Sequence, residues 1–299
     1  MTSLTPRAVL VTRPTELEEL IAIHATRGQA EFFLNRRGQT LAELEQRSER
    51  LASAVDGVKR ALPEDWVVAQ VTRDDLDRFL FADRDIVIAV GQDGLVANLA
   101  KYLDGQPVVG VTPAEEASEG VLTATPVKGL PVLLRRVAAQ DVTIEHRAMV
   151  EATLDDGQSL TALNELFIGH RSHQSARYTI TADGRDEDQS SSGVVVSTGT
   201  GLTGWARSIL TATRRQAAFS PEERRAIFFA REPWPSKATG CDLAFGEVAG
   251  DTRMAVTSRM NDGGVIFADG IEQDFLKFEW GIRADIRVSD RTLNLVHPD

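Results

Sequence analysis

The sequence is almost without cysteine: Cys241 is the only one in 299 residues. An intrachain disulfide is therefore excluded, and a reducing compartment fits. Long apolar runs are also lacking, and none approaches the ~20 residues that a membrane-spanning helix needs. The stretch MTSLTPRAVLVTRP has no basic region followed by a long apolar one. It does not resemble a secretory signal, so a cytoplasmic location with no membrane partner is expected. Positive charge is scarce: 33 Lys and Arg against 44 Asp and Glu leave a net charge of −11. That balance argues against a nucleic-acid partner. It still admits a small polyanion, which needs only a local set of Arg and backbone N–H groups. Lysine is the rarer cation, at positions 59, 101, 128, 237 and 277, which we ascribe to base composition. Internal repeats and low-complexity tracts are absent.

What is present is the composition of a globular chain, 42% hydrophobic and long enough for one large or two ordinary domains. The first part alternates strand-like and helix-like segments. RAVLVT, WVVAQVT, DIVIAV and PVVGV read as strands. TLAELEQRSERLASAVDGVKRAL, DDLDRFLFA and GLVANLAKYLDG read as helices. DIVIAV is continuously apolar, which suits a strand buried on both faces of a parallel sheet. Near Pro126 the pattern changes to many short strands ending at Gly, Asp or Asn turns, such as ARYTITADG, GVVVST, TRMAVTSR and GVIFADG. The fold class expected is therefore a parallel α/β domain over 1–125 and an all-β sandwich after it. SPEERRAIFF carries Ser220, Pro221 and Glu223 in the order of a capped helix start. DGRDEDQSS reads as a solvated acidic loop.

Three stretches could carry chemistry. In IAVGQDGLVANLAKYL a buried strand ends at Val90, and Gly91-Gln92-Asp93-Gly94 leads into a helix. Free N–H groups and the positive end of the helix dipole make this a phosphate-binding geometry. Asp93 would repel phosphate but would serve as a base for an attacking hydroxyl. Equally, Asp93 could simply cap the helix. In TALNELFIGHRSHQSARY, Asn164 and Glu165 interrupt a strand-like run. They could bond a base or ribose, or mark a strand end. His170 and His173 are expected on a loop, as solvent-exposed side chains without further metal ligands nearby. VVVSTGTGLTGWARSIL spells G-x-G-x-x-G at Gly199, Gly201 and Gly204. A dinucleotide fingerprint should open the first βαβ unit, with an acid at the end of the next strand. This one lies late, in the all-β half, and the acids downstream belong to the Ser220 turn. That fingerprint is rejected.

In this order, the three stretches resemble the NAD kinase family. Its G-G-D-G-T turn corresponds to Gly91-Gln92-Asp93-Gly94-Leu95 here, its N-E pair to Asn164-Glu165, and its S-T-P-T-G-S-T-A-Y-like stretch to Ser197 through Trp205. The T-G-T-G form, the aromatic Trp and SEGVL (Ser118 to Leu122) look closer to the mitochondrial-type branch, and SDRTLNLVHP resembles the family's closing strand. The resemblance implies a Rossmann-like nucleotide-binding domain over 1–125 and a β-sandwich NAD-binding domain over 126–280, with a helical insert near 205–235. Segment 281–299 would return to the first domain. It implies phosphorylation of the adenosine 2′-hydroxyl of NAD by MgATP to give NADP, in a homodimer or homotetramer. Asp93 would be the general base, and Gly91, Asp93 and Gly94 would lie on the nucleotide. Asn164 and Glu165 would hold adenine and ribose. Thr203, Gly204, Trp205 and Ser208 would line the same site, and Arg177 matches a basic position. Gln92, Leu95 and Ser192 depart from the family pattern. Gln92 and Leu95 keep the candidate base but weaken the phosphate cradle, which implies as rivals a binding homologue with little turnover or a lipid or sugar kinase of the same superfamily.

Overall fold

The computed structural model describes residues 5–113, 120–250 and 252–298. The chain divides into two compact units, Met1–Glu145 with Asn294–Asp299, and His146–Leu293.

In the first unit β1 (Arg7–Thr12) is followed by the helices α1 (Glu16–His24), α2 (Arg27–Asn35) and α3 (Leu41–Ala61). Then come β2 (Val67–Thr72), β3 (Asp85–Val90), α4 (Asp93–Ala100), β4 (Pro107–Thr112), the two-residue β5 (Thr125–Pro126) and α5 (Leu130–Ala138). The strands pair in parallel in the order β2-β1-β3-β4, and β5 adds to β4. All six residues of β3 are buried, as a two-sided strand requires. On one face Ala54 and Val58 of α3 and Leu130, Leu134 and Val137 of α5 pack on Leu10, Ile88, Val109 and Val111. α4 follows β3 directly and is buried from Leu95 to Ala100.

The second unit is built on β6 (Ile144–Leu154), β7 (Ser159–Ala162), β8 (Glu165–His170), β9 (Ala176–Ala182), β10 (Arg185–Ser191) and β11 (Val194–Thr198), followed by α6 (Trp205–Thr213). It continues with β12 (Arg225–Ala230), β13 (Phe245–Ala249), β14 (Met254–Ser258), β15 (Gly264–Ala268), β16 (Phe275–Lys277) and β17 (Arg283–Val296). One sheet runs β10-β9-β14-β17 and then β6-β7; the other runs β13-β12-β11-β8-β15-β16 and is antiparallel throughout. Alternate residues of both sheets, among them Tyr178, Ile180, Val256 and Ile286 facing Leu166, Ile168, Val196 and Phe228, form one core between them. The opposite parity of the second sheet, Phe167, Val195, Ile227 and Phe229, is covered by Ala206 and Leu210 of α6. The last residues of β17 leave this unit: Asn294 and Leu295 pair in parallel with Pro107 and Val108 of β4.

Several expectations need correction. The boundary falls at Glu145/His146 and not at 125/126, because α5 buries its Leu-rich face on the parallel sheet. The returning segment starts at Asn294 and not at 281. The helical insert expected near 205–235 is confined to α6, and Arg225–Ala230 is a strand. At Ser220 the capping bonds do form, Glu223 Oε1 accepting from the Ser220 N–H at 2.7 Å, yet only a turn follows. The Ile-Phe-Phe run is recruited by β11 instead. DGRDEDQSS is mostly strand, Arg185–Ser191, because β9 pairs along it and Gln189 and Ser191 turn inward to the Tyr178 hydroxyl. The segment DDLDRFLFA forms only a 3₁₀ turn over Arg73–Arg78. Helices α1 and α2 were not expected, although Thr15 and Glu18 form a full capping box at the start of α1.

Candidate functional site

In the first unit the site is the turn between β3 and α4. Gly91 has φ +153, a value that favours glycine, and its N–H donates to Val111 O at 3.0 Å. Gln92 is exposed and extended, with φ −107 and ψ 162, so a side chain there costs no backbone strain. Leu95 is fully buried on the inner side of α4. Asp93 is tied to a distant piece of backbone. Its Oδ2 accepts from Val121 N–H at 2.7 Å. Its Oδ1 accepts from the N–H groups of Leu122 (3.1 Å) and Thr123 (2.9 Å) and from the Thr123 hydroxyl (2.8 Å). The same backbone passes over Gly110, where any Cβ would overlap the Leu122 carbonyl. Oδ1 is fully engaged, whereas Oδ2 keeps acceptor capacity. Ser118 and Glu119 of SEGVL lie outside the described residues.

In the second unit the Asn164–Glu165 pair and the T-G-T-G turn are brought together. Asn164 O accepts from Thr198 N–H at 2.9 Å, and the Thr198 hydroxyl donates to Leu163 O at 2.5 Å. Two of the glycines of the turn are there for lack of room. A Cβ on Gly201 would overlap Asn164 O, and one on Gly199 would overlap the Ser220 carbonyl. Beneath the turn the buried Arg147 reaches the Thr200 hydroxyl at 3.5 Å. From the end of β15, Asp269 gathers the pair: its carboxylate accepts from Leu163 N–H (3.0 Å), Asn164 N–H (2.7 Å) and Glu165 N–H (3.3 Å). Glu165 sits opposite Ser197 of β11 and is half-buried. Burial, and then the charge of Asp269, push its carboxyl up to about 7. At neutral pH Glu165 can therefore both donate and accept a hydrogen bond.

Trp205 opens α6 and stacks on Phe167 with centroids 5.9 Å apart and planes 20° apart. The Arg231 guanidinium lies 5.2 Å from the Trp205 ring centroid. Thr203, Gly204 and Ser208 are exposed beside it.

No protein-family model matches the chain. Part of it is similar to curated proteins named NAD kinase. The identity is 30% over 129 residues with that of Chlorobaculum tepidum, 34% over 132 with that of Heliobacterium modesticaldum and 35% over 130 with that of Brucella melitensis. Each alignment covers 41–42% of this chain and 44–48% of the relative, so the chain spans less than half the length of the curated relatives it matches. Two solved structures share the fold over almost the whole chain. An NAD kinase from Archaeoglobus fulgidus in complex with ATP superposes with a TM-score of 0.59 at 18% identity, covering 97% of this chain and 93% of that one. Yeast NADH kinase complexed with NADH gives 0.60 at 13%, covering 100% and 85%.

In sequence over part of its length, and in fold over almost all of it, the chain is similar to NAD kinases.

Beside the NAD kinase pattern, Gln92 and Leu95 take on another meaning. Neither distorts the turn, since Gln92 is extended and exposed and Leu95 is part of the core. The third departure, Ser192, precedes Gly193, whose φ of +102 needs glycine. Asn164, Glu165, Thr203, Gly204 and Trp205 gather in one region of the second unit. Arg177 does not join them. Its neighbours Ala176 and Tyr178 face the core between the sheets, so Arg177 points outward from the other sheet. Among the described residues no three His, Cys, Asp or Glu side chains gather to hold a metal ion. His170 ends β8 and does not lie on a loop; its Nδ1 is 3.1 and 2.9 Å from the Ser172 N–H and hydroxyl, and its Nε2 is buried without a hydrogen-bond partner among the described residues. Sequence reasoning missed Asp269 and Arg147. The DG of GVIFADG signals a turn, not a carboxylate aimed at a second loop, and a lone Arg within a strand-like run carries no signal.

Proposed function

We propose that the chain is an NAD kinase-type phosphotransferase that transfers the γ-phosphoryl group of ATP to the adenosine 2′-hydroxyl of NAD, giving NADP. The observation that carries this is the likeness in sequence to proteins named NAD kinase, joined to a fold shared with an NAD kinase in complex with ATP. Magnesium enters with the MgATP substrate. A magnesium ion takes one or two carboxylates plus substrate phosphates, so no dedicated protein cage is needed.

In this proposal Oδ2 of Asp93 takes the hydroxyl proton as the new P–O bond forms and the bond to ADP breaks. The bonds from residues 121–123 hold that carboxylate still, which favours a defined attack geometry. Gly91 and Gly94 flank it and let the nucleotide approach. Within the second unit, Asn164 and Glu165 hold adenine and ribose, with Thr203, Gly204, Trp205 and Ser208 beside them. Arg177 serves only if a second copy brings it in, as the homodimer or homotetramer implied by the resemblance would allow. A cytoplasmic enzyme fits the single exposed cysteine.

A second proposal is favoured by the four hydrogen bonds that Asp93 already accepts. On that view Asp93 is a structural clamp, and the chain binds NAD without turnover. Purified protein with MgATP and NAD, read through an NADP-specific dehydrogenase, separates the two. For the kinase, Asp93→Asn should lower turnover by at least about a hundredfold with little change in NAD affinity. Absence of NADP from the unaltered protein, together with NAD-dependent thermal stabilisation, leaves only the binding homologue.

A further inference from the structure

We propose that Asp269 is a positioning residue: by holding three successive N–H groups of Leu163, Asn164 and Glu165, it aims the side chains of Asn164 and Glu165 at the ligand. The identity of that ligand rests on the NAD kinase proposal; the positioning does not.

The geometry is specific. Oδ1 takes the Asn164 and Glu165 N–H groups and Oδ2 takes that of Leu163, while the Asp269 N–H returns a bond to Glu165 O at 3.0 Å. Asp269 holds this pose at φ +51, and Gly270 follows at φ +73. With Ile271 N–H on Ala268 O at 3.0 Å, the two positive φ values make an Asp-Gly turn of type I′, which fixes where the Asp269 carboxylate lies. From the other side, the Thr198 bonds to Leu163 O and Asn164 O close the loop. Residues 163–165 are thus held through their N–H groups and the Glu165 carbonyl by Asp269, and through the Leu163 and Asn164 carbonyls by Thr198.

Charge adds a second role. Burial is the larger cause of the raised carboxyl of Glu165, and Asp269 is the charged group whose field adds to it. β11 carries Ser197 opposite Glu165 and ends at Thr198, and the following turn carries Thr200 and Thr203. With Asp269 ionised, Glu165 keeps its proton to about pH 7 and meets ligand hydroxyls as donor and acceptor.

The test uses the full chain with Asp269→Asn, Asp269→Ala and Glu165→Gln. Amide hydrogen exchange at residues 163–165 and the ¹³C titration of the Glu165 carboxyl are read without ligand. In Asp269→Asn the Glu165 midpoint should fall by about one pH unit, and in both Asp269 variants the three amides should exchange at least about tenfold faster. Unchanged exchange and an unmoved midpoint overturn the proposal. NAD affinity is measured separately. Asp269→Ala should weaken it by at least about tenfold, and its pH dependence should shift with the Glu165 midpoint in Asp269→Asn and vanish in Glu165→Gln. Faster exchange and a lowered Glu165 midpoint in the Asp269 variants, with no NAD affinity of the unaltered protein at any pH, would leave the positioning role intact and remove the NAD proposal.

Discussion

At the scale of single residues, the two acids of the candidate site behave in opposite ways. Asp93 is surrounded by donors, whereas Glu165 is partly stripped of water beside another carboxylate. The consequence for Glu165 is a stability term with a definite sign. Unfolded, its carboxyl releases the proton near the ordinary value of 4.5; folded, it holds the proton to about 7. Between those values the folded state binds more protons, so the contribution is complete below the lower value and is lost as pH rises through the upper one. Its size is on the order of 3 kcal/mol. Glu165→Gln removes the titration. The stability of the unaltered protein minus that of the variant should fall between about pH 5 and about pH 8. A difference that stays flat over this range in denaturant unfolding would show that Glu165 titrates normally.

At the scale of elements, what could be read from the sequence divides by cause. DIVIAV was legible because a strand buried on both faces has no alternative pattern, and every residue of β3 is indeed buried. β10 was not, since its inward side is polar and gains its partners only through Tyr178. Of the candidate site, the residue types and their order were legible, but not what the glycines of the turns are for. Gly201 has no space for a side chain, while Gly94 lies in the exposed first turn of α4 with nothing within 4 Å. Gly201→Ala should therefore destabilise the second unit by about 1–3 kcal/mol and weaken NAD binding, because the displaced carbonyl is that of Asn164. Gly94→Ala should be neutral or stabilising by up to about 1 kcal/mol, as in any open helical position. If Gly94 lets phosphate approach, the same change should nevertheless cut turnover. Thermal unfolding and the NADP assay on both variants check this, and full activity in Gly94→Ala would take Gly94 out of the site.

At the scale of the whole molecule, the first unit is assembled from both ends of the described chain. Its boundary was misread because α5 follows a Pro and Gly turn and its apolar face becomes intelligible only against the parallel sheet. The closing strand shows the same dependence. Asn294 and Leu295 pair with β4, the Asn294 side chain donates to Gly105 O at 2.9 Å, His297 N–H donates to Thr143 O at 3.0 Å, and Val296 is buried against the α3 and α5 face. Leu295 and Val296 together bury enough apolar surface for roughly 3–6 kcal/mol, a large part of a typical domain stability of about 5–15 kcal/mol. The first unit cannot complete its core until the last residues of β17 have been synthesised. Removing residues 294–299 should therefore speed hydrogen exchange in β1, β3 and β4 by orders of magnitude and leave β8, β11 and β12 near their original protection. Equal protection in both units would mean that the parallel sheet is stable without its closing strand.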